Sequence, residues 1–158
     1  MSTDAAESLE QYARHEEALS ELYDAYARCF PDHAEFWNAL SKEEKEHSEI
    51  FRDLGERVLS GEVVVDPAKF PADGVQWSRS YVQHRIYAAK SDRESMLGLL
   101  SVAIELERDL IESVIFEVIE SYPERLKTTL TSQSEDIQRH LEMLEEMWKK
   151  TLLSGTVS

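Results

Sequence analysis

The stretch "FWNALSKEEKEHSEIF", residues 36–51, holds a carboxylate and an imidazole where a packed helix needs apolar side chains. Trp37, Leu40, Phe51 and Leu54 keep the 3- and 4-residue spacing of a buried helical stripe, and the positions between them are Glu44 and His47. Three other stripes are broken in the same way. Leu9, Tyr12, Leu19, Tyr23, Tyr26 and Phe30 are interrupted by Glu16. Met96, Leu100, Ala103, Leu110 and Val114 are interrupted by Glu107, and Leu130, Ile137, Leu144 and Met147 by Gln133 and His140. All these breaks fall near mid-helix, so adjacent antiparallel helices bring them to a similar height.

Burying an ionised carboxylate without a partner costs several kcal/mol, and burying several together costs more. A divalent cation among them removes the conflict, because its charge is the partner each carboxylate needs. Glu44 and His47 lie three residues apart, on one helix face, within reach of one metal or of two neighbouring ones. Oxygen and imidazole donors without thiolate suit iron, manganese or zinc. Each residue alone has a plainer reading. A lone Glu-x-x-His on a charged helix is usually solvated, Glu16 and Glu107 have acidic neighbours in Glu17 and Glu105, and His140 could bond Gln133 or Asp136. Coincidence on four stripes favours ligands. Glu117 lies nearly three turns from Glu107 and is expected exposed. His15, His33 and His84 are expected at the surface or in loops, Tyr23, Tyr26 and Trp37 in the core, and Cys29 as a small buried hydrophobe.

Four long helices must position these groups, at about 4–30, 33–60, 92–121 and 124–152. Pro31 ends the first, and Asp32 with Glu35 resembles a capping box for the second; Ser91 with Glu94 resembles one for the third. The β-branched, polar run "TTLTSQS" weakens the start of the fourth. Short connections make two antiparallel hairpins, and the segment 61–91 joins them. The layout predicts an all-α, single-domain four-helix bundle over residues 1–158 with one long crossover. The crossover is read as a loop holding a short helix that lays Trp77, Tyr81 and Tyr87 on the bundle. Leu99, Val102, Leu106, Ile111, Ile115, Phe116 and Ile119 make the third helix apolar off its stripe, which predicts a homodimer or larger homo-oligomer.

Composition narrows the function classes. Hydrophobic residues at 42% and charged residues at 31% describe a globular chain rather than a disordered one. The formal net charge of −15 disfavours nucleic acid and favours cations. A single cysteine excludes an internal disulfide and a CxxC site, and it suits a reducing cytoplasm. The start "MSTDAAESLE" has no apolar core for a signal peptide, and no run is long enough to span a membrane.

"HEEALSELYDAYARCF", "FWNALSKEEKEHSEIF", "SVAIELERDL" and "EDIQRHLEML" resemble the four helices of ferritin-like, rubrerythrin-related proteins. The Trp-x-x-Leu-x-x-x-Glu-x-x-His run is the most specific piece. The resemblance implies a non-haem two-iron or mixed-metal centre that takes ferrous iron and reacts it with dioxygen or peroxide, in iron handling or oxidative-stress protection. It implies Glu16, Glu44, His47, Glu107 and His140 as metal ligands, with Glu44 bridging. Bundles of this kind carry a Glu on each of two helices and a Glu-x-x-His on each of the others. Here the second Glu-x-x-His has Ile137 in place of its carboxylate. Ile104 and Leu110 flank Glu107 where rubrerythrin proper carries a further glutamate, and there is no rubredoxin-like cysteine module. These departures predict an asymmetric centre. They also support an alternative, a degenerate bundle with one metal or none that serves a structural, regulatory or metal-buffering role.

Overall fold

Few glycines and prolines and long stripes of 3–4 spacing leave the backbone little alternative to helix. The computed structural model describes residues 2–66, 68, 72–91, 94–110 and 124–154, and among them there is no β-strand. The helices are α1 (Ser2–Cys29), α2 (Ala34–Leu59), α3 (Ala72–Ser91), α4 (Met96–Leu110) and α5 (Glu124–Leu153). They form two compact units, Met1–Asp92 and Arg93–Ser158.

In the first unit α1 and α2 pack antiparallel. Near the turn Tyr26 meets Trp37 edge-on at 5.1 Å, and Tyr23 lies 5.7 Å from the same indole. Further along, Ser20 and Ser41 each donate a hydroxyl to the other's carbonyl at 2.8 Å. Beyond them Tyr12 packs on Phe51 at 5.5 Å, and Arg52 reaches both Glu17 and Glu10. The Arg52 guanidinium holds both carboxyls below their usual range. These ion pairs are half-exposed and fix the register more than they add stability.

Two helix starts differ from expectation. Pro31 opens a 3-10 turn, Pro31–His33, which draws in Asp32 and moves the N-cap of α2 to His33, with no side-chain cap bond. The Asp32–Glu35 capping box therefore does not form. Ser91 is the last residue of α3, where its hydroxyl donates to the Tyr87 carbonyl. Ser95 caps α4 instead: its Oγ accepts from the Gly98 amide at 3.1 Å and its carbonyl from the Leu99 amide. At the other end of α2 the chain turns at Gly61, whose φ of 81° lies in the left-handed region that glycine enters without a Cβ clash.

The largest correction concerns the crossover. Instead of a loop with a short helix, it carries the 20-residue α3, parallel to α1. Arg79 donates to Gln11 at 2.9 Å, Ser78 meets His15 at 2.8 Å, and the Cys29 thiol donates to the Ala89 carbonyl at 3.2 Å. The side of α3 that packs is made of Val75, Val82, Ala88 and Ala89. Small side chains allow two helices to approach closely, and the bulky rings are turned out. Trp77 is 73% exposed and Tyr87 72%, with Trp77 stacked on the partly exposed Tyr81. Cys29 is exposed as well, contrary to its expected burial.

In the second unit α4 buries Met96, Leu99, Leu100, Ala103, Leu106 and Glu107, and α5 buries Ser134, Ile137, His140, Leu141 and Leu144. Arg108 and Glu145 join the two helices at 3.1 Å. The run "TTLTSQS" is helical throughout. The expected continuation of the third helix to 121, with Ile111, Val114, Ile115, Phe116, Glu117 and Ile119, lies outside the described residues.

Candidate metal centre

The antiparallel register of α1 and α2 sets Glu16 against Glu44 and His47. All three are at least 97% buried. One ligand atom from each lies within 4.8 Å of the others, a group that could hold a metal ion. The His47 Nδ1 is 3.2 Å from Glu44 Oε2 and 3.9 Å from Glu16 Oε2. Glu16 Oε2 has no hydrogen-bond partner. Burial, and next the Glu44 charge beside it, push the Glu16 carboxyl up to about 8. Near neutral pH Glu16 therefore holds its proton, which it can donate to Glu44. That is the bare-site answer to crowded carboxylates. A cation in the same place would displace the proton and satisfy the orphaned oxygen, so the residues present fit a divalent metal with oxygen and nitrogen donors.

The second unit holds a smaller set. His140 Nδ1 on α5 lies 3.6 Å from Glu107 Oε1 on α4, and both side chains are fully buried. Ile137 lies one turn before His140 and is 3% exposed. The side chain in the place of the missing carboxylate thus faces the interior. Asp136 is partly exposed, and its carboxylate meets Arg139 at 3.4 Å. Gln133 lies on α5, and its side chain is outside the described ones. Glu105 is exposed, as the choice of Glu107 for the stripe requires. Tyr23, Tyr26 and Trp37 are core residues.

One residue of the site was misplaced by sequence reasoning. His15, expected at the surface, is 1% exposed. Its Nε2 is 2.8 Å from Ser78 Oγ, and its Nδ1 is 3.9 Å from Glu16 Oε1. A signal for it existed. Ser8, Gln11, His15, Ala18, Leu22 and Ala25 form a second stripe of 3–4 spacing along α1, and all are buried. This side of α1 carries the α3 contacts through Gln11 and His15. A helix packed on two sides buries a wide arc, and the second half of that arc can be small and polar. His33 is half-buried in the 3-10 turn and His84 is exposed.

No family model, curated protein or solved structure matches the chain. Among the described residues no helix is long and apolar enough to cross a membrane.

Proposed function

We propose that this chain is a ferritin-like, non-haem metal-binding protein, a four-helix bundle with a carboxylate–histidine centre for iron. The observation that carries the reading is the buried Glu16, Glu44 and His47 set, with its donor atoms within 4.8 Å and one carboxylate oxygen without a partner. Mixed oxygen and nitrogen donors without sulfur suit iron, with manganese or zinc as competitors. Iron, when bound, supplies the electrons for reaction with dioxygen or peroxide, a ferroxidase- or peroxidase-like activity. The protein's part is to exclude bulk water, to hold His47 against Glu44 and to let the proton on Glu16 depart when the cation arrives. Glu107 and His140 supply a second carboxylate–imidazole set of the same donor chemistry.

The test is an anaerobic Fe2+ titration followed by air. Ferrous iron is expected to raise the melting temperature, and air to oxidise it with a new near-ultraviolet absorption. Absence of both ends the proposal. The buried Ile137 favours a second reading, a degenerate centre with a single metal. Elemental analysis separates the two: two equivalents of iron favour the oxidase, and one of zinc or manganese the degenerate site. No metal at all favours a bare bundle. The exposed rings of Trp77 and Tyr87 support a homo-oligomer, which light scattering at tens of micromolar would test. A single exposed thiol is in keeping with a cytoplasmic setting.

A further inference from the structure

We propose that His15, braced by Ser78, is a positioning residue that clamps one oxygen of Glu16 so that this carboxylate meets the metal through the other oxygen alone. The role rests on the metal reading of the Glu16, Glu44 and His47 site. Its basis is a division of labour between the two oxygens of Glu16. Oε1 lies 3.9 Å from His15 Nδ1, whereas Oε2 lies 3.9 Å from the Nδ1 of His47, a residue of the ligand group. His15 is not in that group, so it acts from outside it.

The imidazole is held from behind. Its Nε2 meets Ser78 Oγ on α3 at 2.8 Å, and its Nδ1 has no hydrogen-bond partner. Leaving a buried ring nitrogen unpaired carries an uncompensated desolvation cost. A small rotation of the Glu16 side chain would close the 3.9 Å gap and recover that cost. A hydroxyl can donate or accept, so the Ser78 contact permits either tautomer. An ionised, metal-bound Glu16 selects one of them: Ser78 donates to Nε2, and Nδ1–H donates to Glu16 Oε1. The hydroxyl thereby sets the ring, and the ring sets the carboxylate. The crossover helix thus reaches the centre through the Ser78–His15 hydrogen bond.

Co2+ titration of the full chain, followed by visible absorption, tests this with three variants. H15N keeps an amide donor near the place of Nδ1 but drops the Ser78 contact. H15Q keeps a donor near the place of Nε2, and H15L keeps neither. Loss of an outer partner to a ligand weakens metal binding about 10- to 100-fold. We expect that loss in H15L and H15Q, together with an altered Co2+ spectrum as Glu16 becomes free to bind through both oxygens. H15N should recover most of the affinity and the native spectrum. Equal affinity in the native chain and H15L overturns the proposal. So does equal weakening in all three variants, or recovery by H15Q instead of H15N, because either assigns His15 to packing. If H15L does not fold, as judged by metal-free melting, the Asn and Gln pair decides. A native chain that takes up no Co2+ overturns the metal reading itself, a result distinct from uptake that is indifferent to His15.

Discussion

At the scale of single residues, Glu16 ties the chemistry of the site to the stability of the fold. Its carboxyl, ordinarily near 4.5, is raised to about 8 by burial and by Glu44. Below about pH 4.5 it is protonated whether the chain is folded or not. Between about 4.5 and 8 the folded state keeps a proton that the unfolded state has lost, so metal-free stability falls as pH rises through that window. The slope approaches about 1 kcal/mol per pH unit. In E16Q, where nothing ionises at this position, that contribution should be absent, and the metal-free variant should exceed the native chain in stability at pH 9. The same variant should lose the metal-dependent rise in melting temperature. Denaturant titrations at pH 5, 7 and 9, with and without Co2+, check both halves. A native chain with the same pH profile as E16Q would contradict the buried, protonated state. The five stripe-breaking candidates, Glu16, Glu44, His47, Glu107 and His140, were legible in the sequence because each stands where the 3–4 pattern calls for an apolar residue, and all five are buried. His15 was not, because its stripe is built of Ser8, Gln11 and Ala18, which carry no hydrophobic signal. Cys29 was misread for the opposite reason: an apolar-leaning side chain can sit at the surface when its thiol meets a carbonyl such as that of Ala89.

At the scale of elements, helix existence followed from periodicity, whereas helix starts depended on local hydrogen bonds that several serines compete to make. Ser91 and Ser95 both precede the apolar run of α4, and only Ser95 bonds the amide of Gly98. S95A should cost about 1 kcal/mol in denaturant unfolding, whereas S91A should be near neutral. Equal costs would show that the cap is shared. The crossover helix was only partly legible because its packed side is Val75, Val82, Ala88 and Ala89, while Trp77, Tyr81 and Tyr87 draw a false stripe at the surface. On α5 the stripe identified Ile137 as an inward position, and it is buried. I137E therefore discriminates between readings. Without metal it should destabilise by about 2–5 kcal/mol, since a carboxylate replaces a buried aliphatic side chain. If Ile137 occupies a lost ligand position, the variant should bind more metal per chain than the parent and regain stability on doing so. Destabilisation with unchanged stoichiometry would assign the position to packing alone.

At the scale of the whole molecule, a formal charge of −15 means that any cation will stabilise the folded chain to some extent by screening its self-repulsion. The metal proposal thus needs a prediction that screening cannot imitate. A specific site acts at concentrations near its dissociation constant: stabilisation grows with the logarithm of ligand over dissociation constant and reaches about 2.7 kcal/mol at a hundredfold excess. For a chain of this size that amounts to roughly 5–11 °C in melting temperature. Screening depends on ionic strength, so micromolar divalent cation adds nothing noticeable to 0.1 M salt, at which the Debye length is already about 10 Å. Ion chemistry gives a second discriminator. Ca2+ takes about six to eight oxygen ligands, whereas the Glu16, Glu44 and His47 set offers an imidazole among few carboxylates. In 0.1 M NaCl, micromolar Co2+ or anaerobic Fe2+ should therefore raise the melting temperature by several degrees, while equal Ca2+ leaves it unchanged. E44Q, which removes the charge at the centre of the set and none of the surface charge, should abolish the increment. Should Ca2+ match Co2+, or E44Q retain the full rise, the cations are acting on the acidic surface, and the buried carboxylates are held by protons rather than by metal.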